Sequence, residues 1–211
     1  MSLNQNNCKL VLLGDSGVGK TSIISQYISG AFYNNTPSTN GASYTSKKVI
    51  FKDLNKSITL DIWDTAGQEK YKSLIKFFYK DASIAILVYD ITNKQSFESL
   101  KTYWIKQLKD LGEKHLILCI AGNKCDLYNK EQVSEKEGKK FAEDIGAFFE
   151  LTSAKNNIGI NELYMKAAYK YLNNDFCIYN NKKKGEEETE DSTSVKLSNK
   201  GKTIQKINKC C

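Results

Sequence analysis

The sequence contains no arginine, since all 31 of its basic residues are lysines. Arginine supplies the planar fork that reads base edges in nucleic acids, so a nucleic-acid partner is not expected. Lysine supplies point charges, which are sufficient for attraction to an anionic lipid surface. The formal net charge of +7 therefore favours a membrane surface as the partner.

Long apolar stretches are also absent. A helix that crosses a bilayer needs roughly 18 apolar residues, and no segment approaches this length. The first residues, MSLNQNNCKLVLLG, do not place a basic region before an apolar one, so we expect no secretory signal. These absences predict a cytosolic protein in a reducing compartment, where disulfide bonds are rare.

Histidine is scarce, and the cysteines are not arranged in metal-binding pairs. His115 is the single histidine, and the spacing of the six cysteines forms none of the paired clusters that bind zinc. Two cysteines, Cys210 and Cys211, nevertheless end the lysine-bearing stretch KGKTIQKINKCC. Three explanations of this pair involve no modification. The two cysteines could form a disulfide, they could supply half of a metal site, or they could simply reflect the composition of the tail. The expected compartment and the single histidine weaken the first two.

Short apolar runs alternate with helix-like segments over most of the chain. Strands are predicted at 9–14, 44–52, 57–64, 83–90, 115–123 and 147–154. Helices are predicted at 19–30, 71–80, 96–112, 134–145 and 160–172. This order predicts an α/β fold with a mostly parallel six-stranded sheet, helices on both faces and one antiparallel edge hairpin. Beyond residue 173 the chain is polar, so we predict a folded domain at 1–173 and a disordered tail at 174–211.

The segment GDSGVGKT, from Gly14 to Thr21, follows the first predicted strand and opens the first predicted helix. In this context the pattern is typical of a phosphate-binding loop, with a chance glycine turn as the alternative. Glycines let backbone N–H groups close around phosphate oxygens, and the helix N-terminus adds a favourable dipole. We expect Lys20 to neutralise the β- and γ-phosphates and the Thr21 hydroxyl to ligate Mg²⁺.

The segment WDTAGQE, from Trp63 to Glu69, begins at the end of the third predicted strand. Asp64 can support Mg²⁺ through water, because Mg²⁺ keeps several waters in proteins. Capping of the following turn is the alternative role for Asp64. The Gly67 N–H can reach a γ-phosphate, and Gln68 can orient an attacking water.

Two further segments, NKCD at 123–126 and TSAK at 152–155, each follow a predicted strand. The Asp126 carboxylate can accept hydrogen bonds from the ring N–H and the exocyclic amine of guanine, a donor pair that adenine lacks. The Ala154 N–H can reach the guanine carbonyl. The side chains of Lys124 and Lys155 can lie along the base and the ribose.

In this order and at these separations, the four motifs GDSGVGKT, WDTAGQE, NKCD and TSAK resemble the guanine-nucleotide motifs of Ras-type small GTPases. The segments LDIWDTAGQEKY, FFYKDA and LVYDIT are similar more narrowly to the Rab family, and STNGASY to its early-endosomal branch. The resemblance covers residues 8–172. It implies a Ras-like P-loop NTPase fold that hydrolyses GTP to GDP and phosphate, slowly by itself and faster with an activating protein.

The resemblance also implies a role for each motif residue, with Mg²⁺ as cofactor and GTP or GDP as the bound nucleotide. Thr39 would be the first-switch threonine, with its hydroxyl on Mg²⁺ and its N–H on the γ-phosphate, and Phe32 would pack against the guanine edge. The implied catalytic residues are Gln68, Lys20 and Thr39, and the implied metal residues are Thr21, Thr39 and Asp64. The implied nucleotide-binding residues are Asp15, Ser16, Gly17, Val18, Gly19, Lys20, Thr21, Ser22, Phe32, Thr39, Gly67, Asn123, Lys124, Asp126, Ser153, Ala154 and Lys155. Asn40 and Lys70 depart from the family, in which an apolar residue and an arginine are usual.

The implied partners follow from the same resemblance. Tyr44, Trp63 and Phe78 match the effector-facing aromatic triad of Rabs, with core packing as the alternative. An exchange factor, a GTPase-activating protein, a GDP dissociation inhibitor, the Rab prenylation machinery and effectors are the implied proteins. Because the chain has no arginine, the activating protein would supply one in trans. Cys210 and Cys211 match the prenylated ending of Rabs, and two lipid chains anchor a protein more stably than one.

The sequence therefore predicts a Rab-type small GTPase, a GDP/GTP switch that recruits effectors to membranes in vesicle trafficking. Its expected place is the cytoplasmic face of intracellular membranes, such as the early endosome, with a cytosolic pool. Two other functions fit the sequence less well. A P-loop kinase or ATPase leaves NKCD, SAK and the terminal cysteines unexplained, and Gln68 argues against a nucleotide-bound scaffold that does not hydrolyse GTP.

Overall fold

The centre of the fold is a sheet of buried strands. The computed structural model describes residues 5–34, 37–39, 41–65, 80–110 and 116–174, and the statements below concern these residues. The strands are Gln5–Leu13 (β1), Ala42–Phe51 (β2), Lys56–Thr65 (β3), Ile84–Asp90 (β4), Ile117–Asn123 (β5) and Phe148–Leu151 (β6). They lie in the order β2-β3-β1-β4-β5-β6. The β2–β3 pair is antiparallel and the other pairs are parallel, which confirms the predicted fold class.

Three of the described helices lie between strands in the chain, and the last one follows β6. They are Lys20–Ser29 (α1), the three consecutive segments Lys94–Ser99, Leu100–Trp104 and Ile105–Asp110 (together α2), Glu135–Asp144 (α3) and Ile160–Leu172 (α4). The middle segment of α2 is a π-helical turn, and a short 3₁₀ helix spans Cys125–Lys130. Nowhere in the described ranges is a helix both long and apolar enough to pass through a bilayer.

Element boundaries agree with the predictions to within two residues, except at β1, at β6 and at one predicted helix. β6 ends at Leu151, three residues before its predicted end at 154. β1 begins at Gln5 instead of Lys9, because its parallel pairing with β3 continues through polar residues to Ser57. Residues 71–79 of the helix predicted at 71–80 lie outside the described residues. At the start of α3 the Ser134 hydroxyl accepts a hydrogen bond from the Glu137 N–H, the bond of a capping box.

Helices cover both faces of the sheet, because alternate residues of a strand point to opposite sides. On β1, Leu10 and Leu12 belong to a cluster that includes residues of α1 and α4. Val11 and Leu13 belong to a second cluster that includes residues of α2 and α3. Trp104 of α2 is fully buried in this second cluster.

Two glycines set the path of the chain from β1 into α1. Gly14 has φ +143°, and a Cβ there would collide with the carbonyl oxygen of Val88 on β4. Gly19 has φ +98°, and a Cβ there would collide with the Nδ2 of Asn123. The loop 14–19 therefore passes directly against the carboxyl ends of β4 and β5, which only glycine permits at these two points.

The chain divides into two units, 1–179 and 180–211. The second unit lies outside the described residues.

Candidate functional site

A cavity of about 360 Å³ lies beside the loop 14–19. Its walls come from residues that follow β1, β5 and β6 in the chain and from the connection between α1 and β2. The carboxyl ends of the strands are the usual ligand sites of open α/β sheets. The volume is in the range of pockets that bind small molecules.

Most of the sequence-predicted nucleotide-binding residues line this cavity. They are Ser16, Gly17, Gly19, Lys20, Thr21, Ser22, Phe32, Thr39, Asn123, Lys124, Asp126, Ala154 and Lys155. Gly67 and the predicted catalytic Gln68 lie outside the described residues. Sequence reasoning did not select five further lining residues, Tyr33, Asn34, Pro37, Ser38 and Leu127. Each of these residues lies near predicted site residues in the sequence, and this proximity could have identified them.

Among the described residues, three predicted nucleotide-binding residues are absent from the cavity lining and instead support it. The Asp15 Oδ1 accepts a hydrogen bond of 3.0 Å from the indole N–H of Trp104. Val18 is buried, and its carbonyl accepts from the Asn123 amide. The Ser153 hydroxyl donates to Asp126. The side chains of Asp15 and Ser153 and the backbone carbonyl of Val18 therefore hold other parts of the site in place.

Positive charge is concentrated where the cavity meets the start of α1. Lys20 is only 5% exposed, and its Nζ donates to the carbonyl oxygens of Gly14 and Asp15, both at 2.8 Å. Burial lowers the pKa of Lys20 to about 8, and the carboxylates of Asp64 and Asp15 oppose that shift. The lysine, the backbone N–H groups and the dipole of α1 together suit a bound anion.

Three oxygen-bearing side chains meet beside Lys20. The Thr21 hydroxyl donates to the Asp64 Oδ2 at 2.6 Å, and the two threonine oxygens, Thr21 Oγ1 and Thr39 Oγ1, are 2.8 Å apart. Asp64 is 3% exposed, and its Oδ1 has no hydrogen-bond partner among the described residues. Burial raises the pKa of Asp64, while its contacts with Thr21 and Lys20 act against the rise. A buried carboxylate oxygen without a partner, next to two hydroxyls, fits a hard cation such as Mg²⁺, which prefers oxygen ligands.

The opposite end of the cavity presents a fixed carboxylate. The Asp126 Oδ1 accepts a 2.6 Å hydrogen bond from Ser153, whose oxygen in turn accepts from the Asn156 N–H. Asn123 is nearly fully buried, donates to the Val18 carbonyl at 2.8 Å and accepts from the Thr152 hydroxyl at 3.2 Å. These bonds join the loop after β1 to the loops after β5 and β6. They orient Asp126 as a hydrogen-bond acceptor in the cavity.

An aromatic pair lies on the β2–β3 hairpin, outside the cavity. Tyr44 and Trp63 are directly opposite each other in the antiparallel ladder, with ring centroids 5.3 Å apart. Tyr44 is 56% exposed, and its hydroxyl donates to Asp61. Core packing therefore does not account for Tyr44, whereas Trp63 is partly buried against the second cluster. Phe78, the third predicted member of the triad, lies outside the described residues.

Comparison with known proteins agrees with this arrangement. Residues 9–173 match the family described as Ras family. The chain is 40% identical to mouse Ras-related protein Rab-31 over 204 residues, which is 96% of each chain. It is 42% identical to human Ras-related protein Rab-22A over 168 residues, or 79% of this chain and 84% of the relative. A family match over most of the chain and relatives of this similarity confirm the resemblance, so the chain belongs to the Ras family and is a Rab-type small GTPase that hydrolyses GTP.

Proposed function

We propose that this GTPase is a GDP/GTP switch on trafficking membranes and that the 360 Å³ cavity holds its nucleotide. The observation that carries the proposal is the placement of Lys20 and Asp126 in the lining of a single cavity. The lysine lies at the start of α1, where phosphates bind favourably, and the carboxylate faces the cavity from the loop after β5. A guanine nucleotide has an anionic end and a donor-bearing end that match these two groups.

The phosphates would bind in the loop 14–19. Lys20 donates to two backbone carbonyls of the loop, which hold its ammonium group beside the proposed phosphate site. Phosphate oxygens would add acceptors of opposite charge, which raises the pKa of Lys20 and keeps it protonated. Lys20 would thereby neutralise the β- and γ-phosphates.

Thr21, Thr39 and Asp64 would hold Mg²⁺, with Asp64 acting directly or through water. The proposal is supported by the short distances among these oxygens and by the unpartnered Oδ1 of Asp64. Mg²⁺ bound there would neutralise charge on the β- and γ-phosphate oxygens. Because Thr39 lies in the connection between α1 and β2, this set of ligands would tie that connection to the nucleotide.

Asp126 would recognise guanine by accepting from the ring N–H and the exocyclic amine. Ser153 fixes the carboxylate before the base arrives, which lowers the entropic cost of binding. Adenine would leave this carboxylate without donors and would therefore be rejected. Phe32 and Ala154 would contact the edge of the base, and Lys124 and Lys155 would cover its faces.

Hydrolysis would depend on groups from outside the described residues and from a second protein. Gln68 would orient the attacking water, and the Gly67 N–H would bind the γ-phosphate. An arginine that stabilises the transition state contributes about 10³–10⁵ in rate, and this chain contains none. Intrinsic turnover would therefore be slow, and a GTPase-activating protein would supply the arginine in trans.

The switch would arise from the γ-phosphate, which binds Thr39 and Gly67 in the GTP state and releases both after hydrolysis. Effectors would contact Tyr44, Trp63 and Phe78. An exchange factor would replace GDP by GTP, and a GDP dissociation inhibitor would maintain a cytosolic pool.

Membrane attachment would come from a disordered tail at 174–211 that follows a GTPase domain at 1–173. The Rab prenylation machinery would modify Cys210 and Cys211, and nearby lysines would strengthen binding to anionic lipid. By the resemblance of STNGASY to the early-endosomal branch, we propose the cytoplasmic face of the early endosome as the site of action.

The test is nucleotide competition with the purified protein and the Asp126→Asn variant. The wild type should bind GDP at least about a thousandfold more tightly than ADP. Asp126→Asn should shift the preference toward xanthine nucleotides, because an amide can donate to the carbonyl that replaces the exocyclic amine. Asp53→Asn, at an exposed position in the β2–β3 turn, is the matched control and should bind as the wild type does. Equal affinity for ADP and GDP would refute the proposal.

A further inference from the structure

Asp90, the last residue of β4, uses both carboxylate oxygens in hydrogen bonds or ion pairs. Its Oδ1 accepts from the backbone N–H and the hydroxyl of Thr92, at 2.8 and 2.7 Å. Its Oδ2 is 2.6 Å from the Nζ of Lys124. Asp90 is 7% exposed. A buried carboxylate with all of these partners has a single orientation, and one of its partners is a residue of the cavity wall.

The position of Asp90 is fixed independently of Lys124. The Asp90 N–H donates to the hydroxyl of Ser96, which also bonds to the Asn93 carbonyl at the start of α2. Asp90 is paired with Asn123 in the β4–β5 ladder, and the next N–H, of Ile91, donates to the Asn123 carbonyl at 3.0 Å. The backbone of Asp90 is therefore held by β5 and by the start of α2, which fixes the point from which the carboxylate extends.

The side chain of Lys124 gains a fixed orientation from its ion pair with Asp90. Its backbone is left-handed, with φ 66° and ψ 35°, a conformation that a residue with a Cβ adopts only when its surroundings hold it there. Its side chain lines the cavity and is one-third exposed. A lysine stem at such a mouth has many rotamers when its ammonium group is unbound. The ion pair with Asp90 restricts the orientations of the stem at the cavity wall.

We propose that Asp90 is a positioning residue for the bound nucleotide. It holds the ammonium group of Lys124, so that the lysine stem covers the nucleotide and slows its release. This inference rests on the proposed function, in which the cavity binds guanine nucleotide, and it adds a residue that acts through Lys124 without contacting the ligand.

The test is the rate of GDP release from the full-length protein, loaded with a fluorescent GDP analogue and Mg²⁺ and chased with excess GDP. Asp90→Asn keeps an oxygen for Thr92 but turns an uncharged amide toward Lys124. We expect release about threefold to tenfold faster, because one ion pair of a partly exposed lysine is lost. Lys124→Met keeps the stem and removes the ammonium group, and it should also speed release.

The double variant separates positioning from general destabilisation. If Asp90 acts through Lys124, adding Asp90→Asn to Lys124→Met should not speed release further. The release of an inosine diphosphate analogue should be accelerated by the same factor as that of GDP, because the contact of Asp126 with the exocyclic amine is not altered. The control is Glu98→Gln, which removes a partly exposed ion pair of 2.9 Å with Lys101 on α2 and should leave release unchanged.

Two results would overturn the inference. One is GDP release from Asp90→Asn at the wild-type rate. The other is an Asp90→Asn effect that stays the same size in the Lys124→Met background, which would mean that Asp90 acts on the fold and not through the lysine. A wild-type protein that retains no GDP analogue would instead refute the proposed function, so the two failures are distinguishable.

Discussion

The hydrogen bond between Trp104 and Asp15 connects α2 to the phosphate-binding loop, and Trp104→Phe tests its contribution. Phenylalanine retains an aromatic ring in the second cluster but cannot donate to the Asp15 Oδ1, which is 3.0 Å from the indole nitrogen. A hydrogen bond to a charged group contributes about 1.5–3 kcal/mol. Asp15 is partly exposed, so water replaces part of this bond and we expect the lower end of the range.

The smaller ring adds a second cost, because Trp104 is fully buried. Lost apolar contact of this size destabilises by roughly 1 kcal/mol. The free energy of unfolding should therefore fall by about 2–3 kcal/mol in total. The measurement is urea denaturation at one fixed, saturating concentration of GDP and Mg²⁺, because bound ligand adds to the apparent stability.

Tyr89→Phe is the matched control from the same cluster. The Tyr89 hydroxyl is buried and has no hydrogen-bond partner among the described residues. Burial raises the pKa of this hydroxyl, so it stays protonated in the folded protein. Because an unpaired buried polar group costs free energy, its removal should leave stability unchanged or raise it.

Comparing Trp104→Phe with Tyr89→Phe shows whether the hydrogen bond from Trp104 to Asp15 stabilises the fold. If Trp104→Phe loses no more than the roughly 1 kcal/mol expected from ring size, the bond to Asp15 contributes nothing net. Equal destabilisation by Tyr89→Phe would also refute the reasoning, because the partnered and unpartnered donors would then be equivalent. Faster release of GDP by Trp104→Phe would show that the bond also orients the loop 14–19 that precedes Lys20.

Three further predictions follow from the site and from the tail. Gly19→Ala should abolish most nucleotide binding, because its Cβ would collide with the Asn123 amide. Gly17 also has a positive φ, but the space around its Cβ is open, so Gly17→Ala should bind GDP more tightly than Gly19→Ala in a titration. Gln68→Leu should bind GTP and lose most activator-stimulated hydrolysis, and wild-type turnover with a matched activating protein would contradict the role in positioning water. Replacing both Cys210 and Cys211 by serine should leave the protein cytosolic with nucleotide binding intact, whereas Cys211→Ser alone should leave it partly soluble. Membrane fractionation and intact-mass measurement test this prediction. A double variant that stays on membranes would rule out the lipid anchor.

Local sequence patterns were sufficient to predict most secondary-structure elements, the phosphate-binding loop and the family of this protein. The alternation of the β2–β3 hairpin and the helical period at 160–172 were readable because each depends on neighbouring residues, and both elements form where predicted. The loop 14–19 was readable for the same reason, since its glycines and lysine act within one short segment. The order of the four motifs then identified the family, which the comparisons confirm.

Tertiary structure decided which distant residues meet. Thr21 contacts Asp64 across 43 positions, a contact that the family resemblance implied but no local period predicts. Trp104 contacts Asp15 across 89 positions, which nothing in the sequence predicted. The orientation of Ser153 toward Asp126, the π-helical turn that carries Trp104 and the ion pair of Asp90 with Lys124 likewise depend on strand order and on packing between layers. A sequence pattern reports how a segment interacts with its neighbours, whereas these contacts form only after the whole sheet has brought its strand ends together.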